Sequence, residues 1–83
     1  MTLKVEISKK AYKDIKNLEN SEAKQVVESI KELISFPNVP NIKKLTNFQP
    51  SYRLRVGDYR VLFEIEGELV VVYRVLHRRD SYK

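Results

Sequence analysis

The chain has no cysteine, a single histidine, two glycines and three prolines among its 83 residues. Without cysteine there are no disulfides, thiolate nucleophiles or sulfur-held metals, and such a composition suits a reducing cytoplasm. One histidine leaves too few donors for a zinc-type centre, so no metal and no cofactor are expected. Scarce glycine and proline, with charges of both signs mixed along the chain, argue against a disordered tail. No apolar run approaches membrane-spanning length, and Met1-Thr-Leu-Lys-Val-Glu6 lacks the apolar core of a secretion signal. The sequence therefore predicts a cytoplasmic protein with no membrane partner.

What is present fits one compact domain spanning residues 1–83. Apolar residues make up 42% of the chain, enough for a core in a domain that buries roughly three-fifths of its unfolded surface. The formal net charge of +5 favours a polyanionic partner, and charge alone does not choose among nucleic acid, acidic protein and anionic surface. The distribution says more. All six arginines lie between Arg53 and Arg79, whereas every lysine but Lys83 comes earlier. Arginine confined to one region points to use of its planar, bidentate fork, for which phosphate is the natural target.

Periodicity places these residues on elements. Leu3-Lys-Val-Glu-Ile7 alternates as a short strand, and Ser8 is a candidate N-cap for a helix carrying Ala11, Ile15 and Leu18. Asn20-Ser21-Glu22 offers a break and a second cap, after which Ala23, Val26, Val27, Ile30, Leu33 and Ile34 form an amphipathic stripe that ends before Pro37 and Pro40. Residues 37–50 read as a loop carrying Lys43 and Lys44. Tyr52–Val56 and Tyr59–Glu66 alternate around a Gly57-Asp58 turn, and Leu69–Leu76 is the most β-prone run. The predicted class is α+β in the order β-α-α-β-β-β, with two N-terminal helices on one face of a mainly antiparallel four-stranded sheet.

Register turns the arginines into a surface. A two-residue Gly57-Asp58 loop sets Arg55 directly opposite Arg60, with Arg53 on the same face. For the next hairpin, a two-residue loop would send Arg74 to the apolar face. A three-residue loop pairs Ile65 with Leu69, puts Val71, Tyr73 and Val75 in the core and brings Arg74 opposite Arg60. That register predicts one open sheet face bearing Arg53, Arg55, Arg60, Arg74 and Arg78. Like charges opposed across a sheet are destabilising, which makes sense if an anion sits there. The plainer alternative is neutralisation by Asp58, Glu64, Glu66 and Asp80 in weak surface pairs.

The hairpin Tyr52-Arg-Leu-Arg-Val-Gly-Asp-Tyr-Arg60 and the ending His77-Arg-Arg-Asp-Ser-Tyr82, together with the element order, resemble the RelE branch of the RelE/ParE toxin superfamily over nearly the whole chain. The resemblance implies a metal-independent, ribosome-dependent endoribonuclease that cuts mRNA by attack of the 2′-hydroxyl on the phosphodiester and is silenced by a cognate RelB-like antitoxin. It implies that Arg53 and Arg55 stand where relatives often carry lysines that activate the 2′-hydroxyl or hold phosphate. Arg60 matches an arginine on the scissile phosphate, Arg78 (or Arg79) one near the leaving oxygen, and Tyr82 a tyrosine that orients a base. Two departures stand out: arginine replaces lysine at 53 and 55, and no terminal helix follows.

Guanidinium stays protonated, so arginines stabilise phosphorane charge well and abstract protons poorly. His77 has the right chemistry for proton transfer, but strand parity points it away from the arginines. Lys9, Lys10, Lys13, Lys43 and Lys44, with Arg74 and Arg79, are candidates for contacts to ribosomal RNA backbone; a solvated helix face is the ordinary alternative for any one lysine. The competing functions are a ParE-like inhibitor of DNA gyrase on the same fold, and a non-catalytic RNA-binding module. An antitoxin helix or strand is expected to cover the basic face.

Overall fold

The structure, a computed structural model, describes residues 3–47 and 49–80. Ser8 starts the first helix as expected: its hydroxyl accepts a hydrogen bond from the Ala11 amide (3.1 Å) while donating to the Tyr73 carbonyl (2.9 Å). Helix α1 (Lys9–Lys16) buries Ala11 and Ile15, and α2 (Asn20–Lys31) buries Val26 and Ile30. The cap of α2 is Glu19, one residue before the expected break, and it contributes no side-chain bond. Its last turn tightens into a 3-10 segment, Glu32–Ser35. That tightening turns the stripe: Leu33 is fully buried, but Ile34, expected in the core, is 44% exposed. Phe36 is extended, as the residue before Pro37 must be.

The α+β class and the position of the helices are as the sequence predicts, and the sheet has one strand more. Five strands, β1 (Lys4–Ile7), β2 (Ile42–Lys44), β3 (Tyr52–Val56), β4 (Tyr59–Glu66) and β5 (Leu69–His77), lie in the order β1-β5-β4-β3-β2. β1 runs parallel to β5, and all other pairs are antiparallel. β2 lies within the segment read as loop. Three residues are too few for alternation to reveal a strand.

One sheet face carries Leu54, Val56, Val61, Phe63, Val70, Val72 and Val75 against the helical Ala11, Ile15, Val26, Ile30 and Leu33. Phe36, Tyr52 and Phe63 close one end of this core, with Tyr52 stacked on Phe63 (5.4 Å) and Phe36 edge-on to Tyr52 (5.1 Å). The other face stays open and carries the arginines.

The second hairpin departs from the predicted register. Glu66 pairs with Leu69 across a two-residue turn in which Gly67 takes the left-handed φ of 62°. A bulge then corrects the parity: Phe63 faces Val72 and Leu62 faces Arg74, leaving Tyr73 as the extra residue. Val70 and Val72 enter the core before the bulge and Val75 after it, whereas Val71 does not and Tyr73 is 38% exposed. Arg74 therefore stands opposite Leu62 rather than Arg60, whose partner is Leu76.

Candidate nucleic-acid interface

The first hairpin has the predicted register, with Arg55 opposite Arg60 and Gly57 left-handed at φ 56°. Arg53, two residues from Arg55, shares its face. β2 adds a fourth cation. Asn41, itself left-handed at φ 67°, leads the chain into the strand, and its carbonyl accepts the Arg55 amide hydrogen at 2.9 Å. Lys43 then lies opposite Arg53, while Lys44 lies opposite Tyr52 and so belongs to the other face. Asn41, Ile42, Lys43, Arg53, Arg55 and Arg60 line one open pocket of ≈ 290 Å³.

Arg60 is the most constrained of the four. It is only 8% exposed, and its Nη1 donates to the carbonyls of Gly57 and Tyr59, each at 3.0 Å. Among the described residues no carboxylate pairs with Arg60 or with Arg55. A guanidinium removed from water without a carboxylate, beside a second guanidinium, is costly unless an anion completes the arrangement. Two of the carboxylates expected to neutralise the face are occupied elsewhere. Glu64 accepts from the Ser51 amide (3.2 Å) and hydroxyl (2.8 Å), and Glu66 accepts from the Tyr73 hydroxyl (2.8 Å). That last bond, followed by burial, pushes the Tyr73 phenol up from its ordinary value.

Arg74 is not part of this pocket. Its Nε and Nη2 grip Asp14 of α1 at 2.8 and 3.0 Å, and the Asp14 carboxylate also accepts the Val75 amide hydrogen at 2.9 Å. Burial pushes the Asp14 carboxyl up, but the Arg74 and Val75 hydrogen bonds and the Arg74 charge together hold it below the usual carboxylate value. The same bond, against some burial, raises the Arg74 guanidinium further. Ser8 and Asp14 thus take up the β5 edge where β1 ends.

Arg78 lies just past the end of β5, so it does not continue a strand face. Its amide donates to the Asp58 carbonyl at 2.7 Å, which ties this exposed residue to the turn that also anchors Arg60. Arg79 follows in an exposed turn, its amide donating to His77 Nδ1 at 3.3 Å. The His77 ring meets Tyr59 edge-on at 5.4 Å on the helix-covered side, away from the arginines as parity predicts. Tyr59 in turn donates to Glu22 of α2 at 3.2 Å; burial first and this bond second raise its phenol. Lys9, Lys10 and Lys13 are exposed on α1, across the sheet from the pocket. Tyr82 lies outside the described residues.

Over residues 5–82 the chain matches the family described as the ParE toxin of the type II toxin–antitoxin system parDE. The chain belongs to the RelE/ParE superfamily of type II toxins. Toxin RelE3 of Methanocaldococcus jannaschii is 32% identical to it over 84 residues, covering 96% of each chain. Among solved structures, a chain of the RelB-RelE antitoxin-toxin complex from Methanococcus jannaschii matches with a TM-score of 0.74 at 30% identity, over 92% of this chain and 93% of that one. A chain of the toxin-antitoxin complex RelBE2 from Mycobacterium tuberculosis matches with a TM-score of 0.79 at 28% identity, over 94% of this chain and 100% of that one.

In this toxin, fold order gathers Arg53, Arg55 and Arg60 from two strands and adds Lys43, Asn41 and Ile42 from a third. The last three were not predicted at this position, because their placement depends on a strand too short to read. The arrangement suits a phosphodiester: several donors converge on one open site, and guanidinium forks can each hold two phosphate oxygens. Among the described residues no three histidine or carboxylate side chains converge as metal ligands, and no helix is long and apolar enough to cross a membrane.

Proposed function

We propose that this toxin is a ribosome-dependent endoribonuclease that cleaves mRNA by attack of a 2′-hydroxyl on the adjacent phosphodiester, without a metal cofactor. The observation that carries the reading is the convergence of Lys43, Arg53, Arg55 and Arg60 on one pocket, with Arg60 buried and lacking a carboxylate among the described residues. The phosphorane formed in this reaction carries more charge than the bound diester. Fixed cations therefore favour the transition state over the ground state. In this reading Arg53 and Arg55 hold the phosphate in line and Arg60 stabilises it. Arg78, its amide tied to Asp58, adds positive charge on the β5 side of the site, and Tyr82 orients a base.

Guanidinium groups are weak proton acceptors, and the pocket is open. Orientation of the message must then come largely from the ribosome, and free RNA should be cut slowly. Lys9, Lys10 and Lys13 on the opposite surface are suited to ribosomal RNA backbone. Because the matched relatives are chains of RelB-RelE complexes, we further propose a RelB-like antitoxin that silences this chain by covering the basic pocket. The test is a reconstituted translation reaction read by primer extension: ribosome-dependent, codon-phased cuts support the reading.

A second reading is favoured by the family description that the chain matches, that of ParE. A ParE-like poison of DNA gyrase needs no catalytic cation set. Intact message together with blocked supercoiling in a gyrase assay would establish it in place of the first.

A further inference from the structure

We propose that Lys43 is the general acid of the cleavage reaction, delivering the proton that the departing 5′-oxygen requires; this rests on the endoribonuclease reading above. Three observations lead there. β2 pairs with β3 so that Lys43 stands opposite Arg53 on the arginine face. Lys43 also lines the same pocket as Arg53, Arg55 and Arg60. Finally, among the described lining residues it is the only ammonium, a proton donor that leaves a neutral amine behind. The amide of Asn41 and the alkyl chain of Ile42 have none to give, and guanidinium does not deprotonate in proteins.

The nearby alternatives are otherwise engaged. Glu64 is held by Ser51, and His77 packs against Tyr59 on the helix-covered side. Lys43 is exposed, and among the described residues its side chain makes no ion pair or hydrogen bond. A lysine ammonium is a compact donor on a flexible four-carbon stem, suited to reaching an oxygen at the pocket mouth. An ammonium donates and has no lone pair to accept, which fits the role of acid rather than base.

The 2′-hydroxyl loses its proton to water as O2′ bonds to phosphorus. The P–O5′ bond breaks, its electron pair remaining on O5′. The Lys43 ammonium protonates that oxygen, leaving a 2′,3′-cyclic phosphate, a 5′-hydroxyl and a neutral amine that regains its proton from water. An alkoxide is a poor leaving group, so a placed acid contributes substantially, typically about a hundredfold or more.

The test uses synthetic messages on reconstituted ribosomes, with the scissile 5′-oxygen kept or replaced by sulfur, under single-turnover conditions. A thiolate leaves without protonation. Lys43→Ala should cut the oxygen linkage about a hundredfold more slowly than the wild type and the sulfur linkage at nearly the wild-type rate. Lys43→Arg, which keeps the charge and the fold, should behave like Lys43→Ala on oxygen. Equal losses on both linkages, or a Lys43→Arg rate equal to wild type on oxygen, would overturn the assignment and leave Lys43 as a charge only. Wild-type protein that cuts neither message would remove the endoribonuclease reading itself, whereas unaltered cutting by both Lys43 variants would remove this inference alone.

Discussion

Arg60 serves both the fold and the proposed chemistry, so its substitution reports on two things at once. Arg60→Ala removes donors to the Gly57 and Tyr59 carbonyls from a nearly buried position, and should cost roughly 1–3 kcal/mol of stability as well as activity. Arg55 separates the two. It is exposed, and its side chain makes no hydrogen bond or ion pair among the described residues. Arg55→Ala should therefore leave the thermal midpoint almost unchanged while slowing cleavage about a hundredfold, the usual loss for one preorganised charge donor; melting curves beside single-turnover rates check both halves. Asp14 is the opposite case, a residue of the fold alone. Its carboxyl is held below the ordinary value near 3.8, so its contribution is complete above that pH and is lost as pH falls through the depressed folded value. Asp14→Asn should lower stability by roughly 1 kcal/mol at pH 7, Arg74 being 41% exposed and partly screened. Near pH 2 the difference from wild type should shrink, as denaturant melts at the two pH values will show.

Elements account for what the sequence could and could not reveal. The Gly57-Asp58 hairpin was legible down to the Arg55–Arg60 pair because a two-residue turn with a left-handed glycine fixes register locally. The Gly67-Glu68 hairpin has the same kind of turn, but the bulge at Tyr73 undoes parity halfway along β5, and nothing in Leu69-Val-Val-Val-Tyr announces it. What holds the bulged stretch is tertiary: Ser8 bonds the Tyr73 carbonyl and Asp14 the Val75 amide. Those bonds join residues some 60 positions apart, beyond any local pattern. They also explain why Arg74, opposite Leu62 on the arginine face, turns its side chain to Asp14 instead of into the pocket. Ile34 misled for a smaller reason, since a stripe drawn at 3.6 residues per turn fails where the helix tightens. Ser8→Ala removes a cap and the bulge anchor together; a cost of about 1 kcal/mol for the cap alone implies a midpoint lower by about 4–8 °C, measured by thermal melting.

On the scale of the whole molecule, positive charge is divided between two surfaces. Three strands place Lys43, Arg53, Arg55 and Arg60 around the pocket, while Lys9, Lys10 and Lys13 lie across the sheet on α1. In the proposed function one surface meets the message and the other a structural RNA. Lys9→Gln with Lys13→Gln should then weaken ribosome binding and flatten its salt dependence by about one unit of log–log slope for each phosphate no longer neutralised. Cleavage of message already bound should be little changed, which filter binding across a salt series and rates at saturation separate. The central claim is that the convergent cations, rather than net charge, cut the message. Primer extension on ribosome-bound mRNA, comparing wild type with Arg55→Ala at equal thermal stability, tests it most directly. Codon-phased cuts by the wild type that nearly vanish in the variant are the predicted result; equal cutting by both, or an intact message with both, would contradict it.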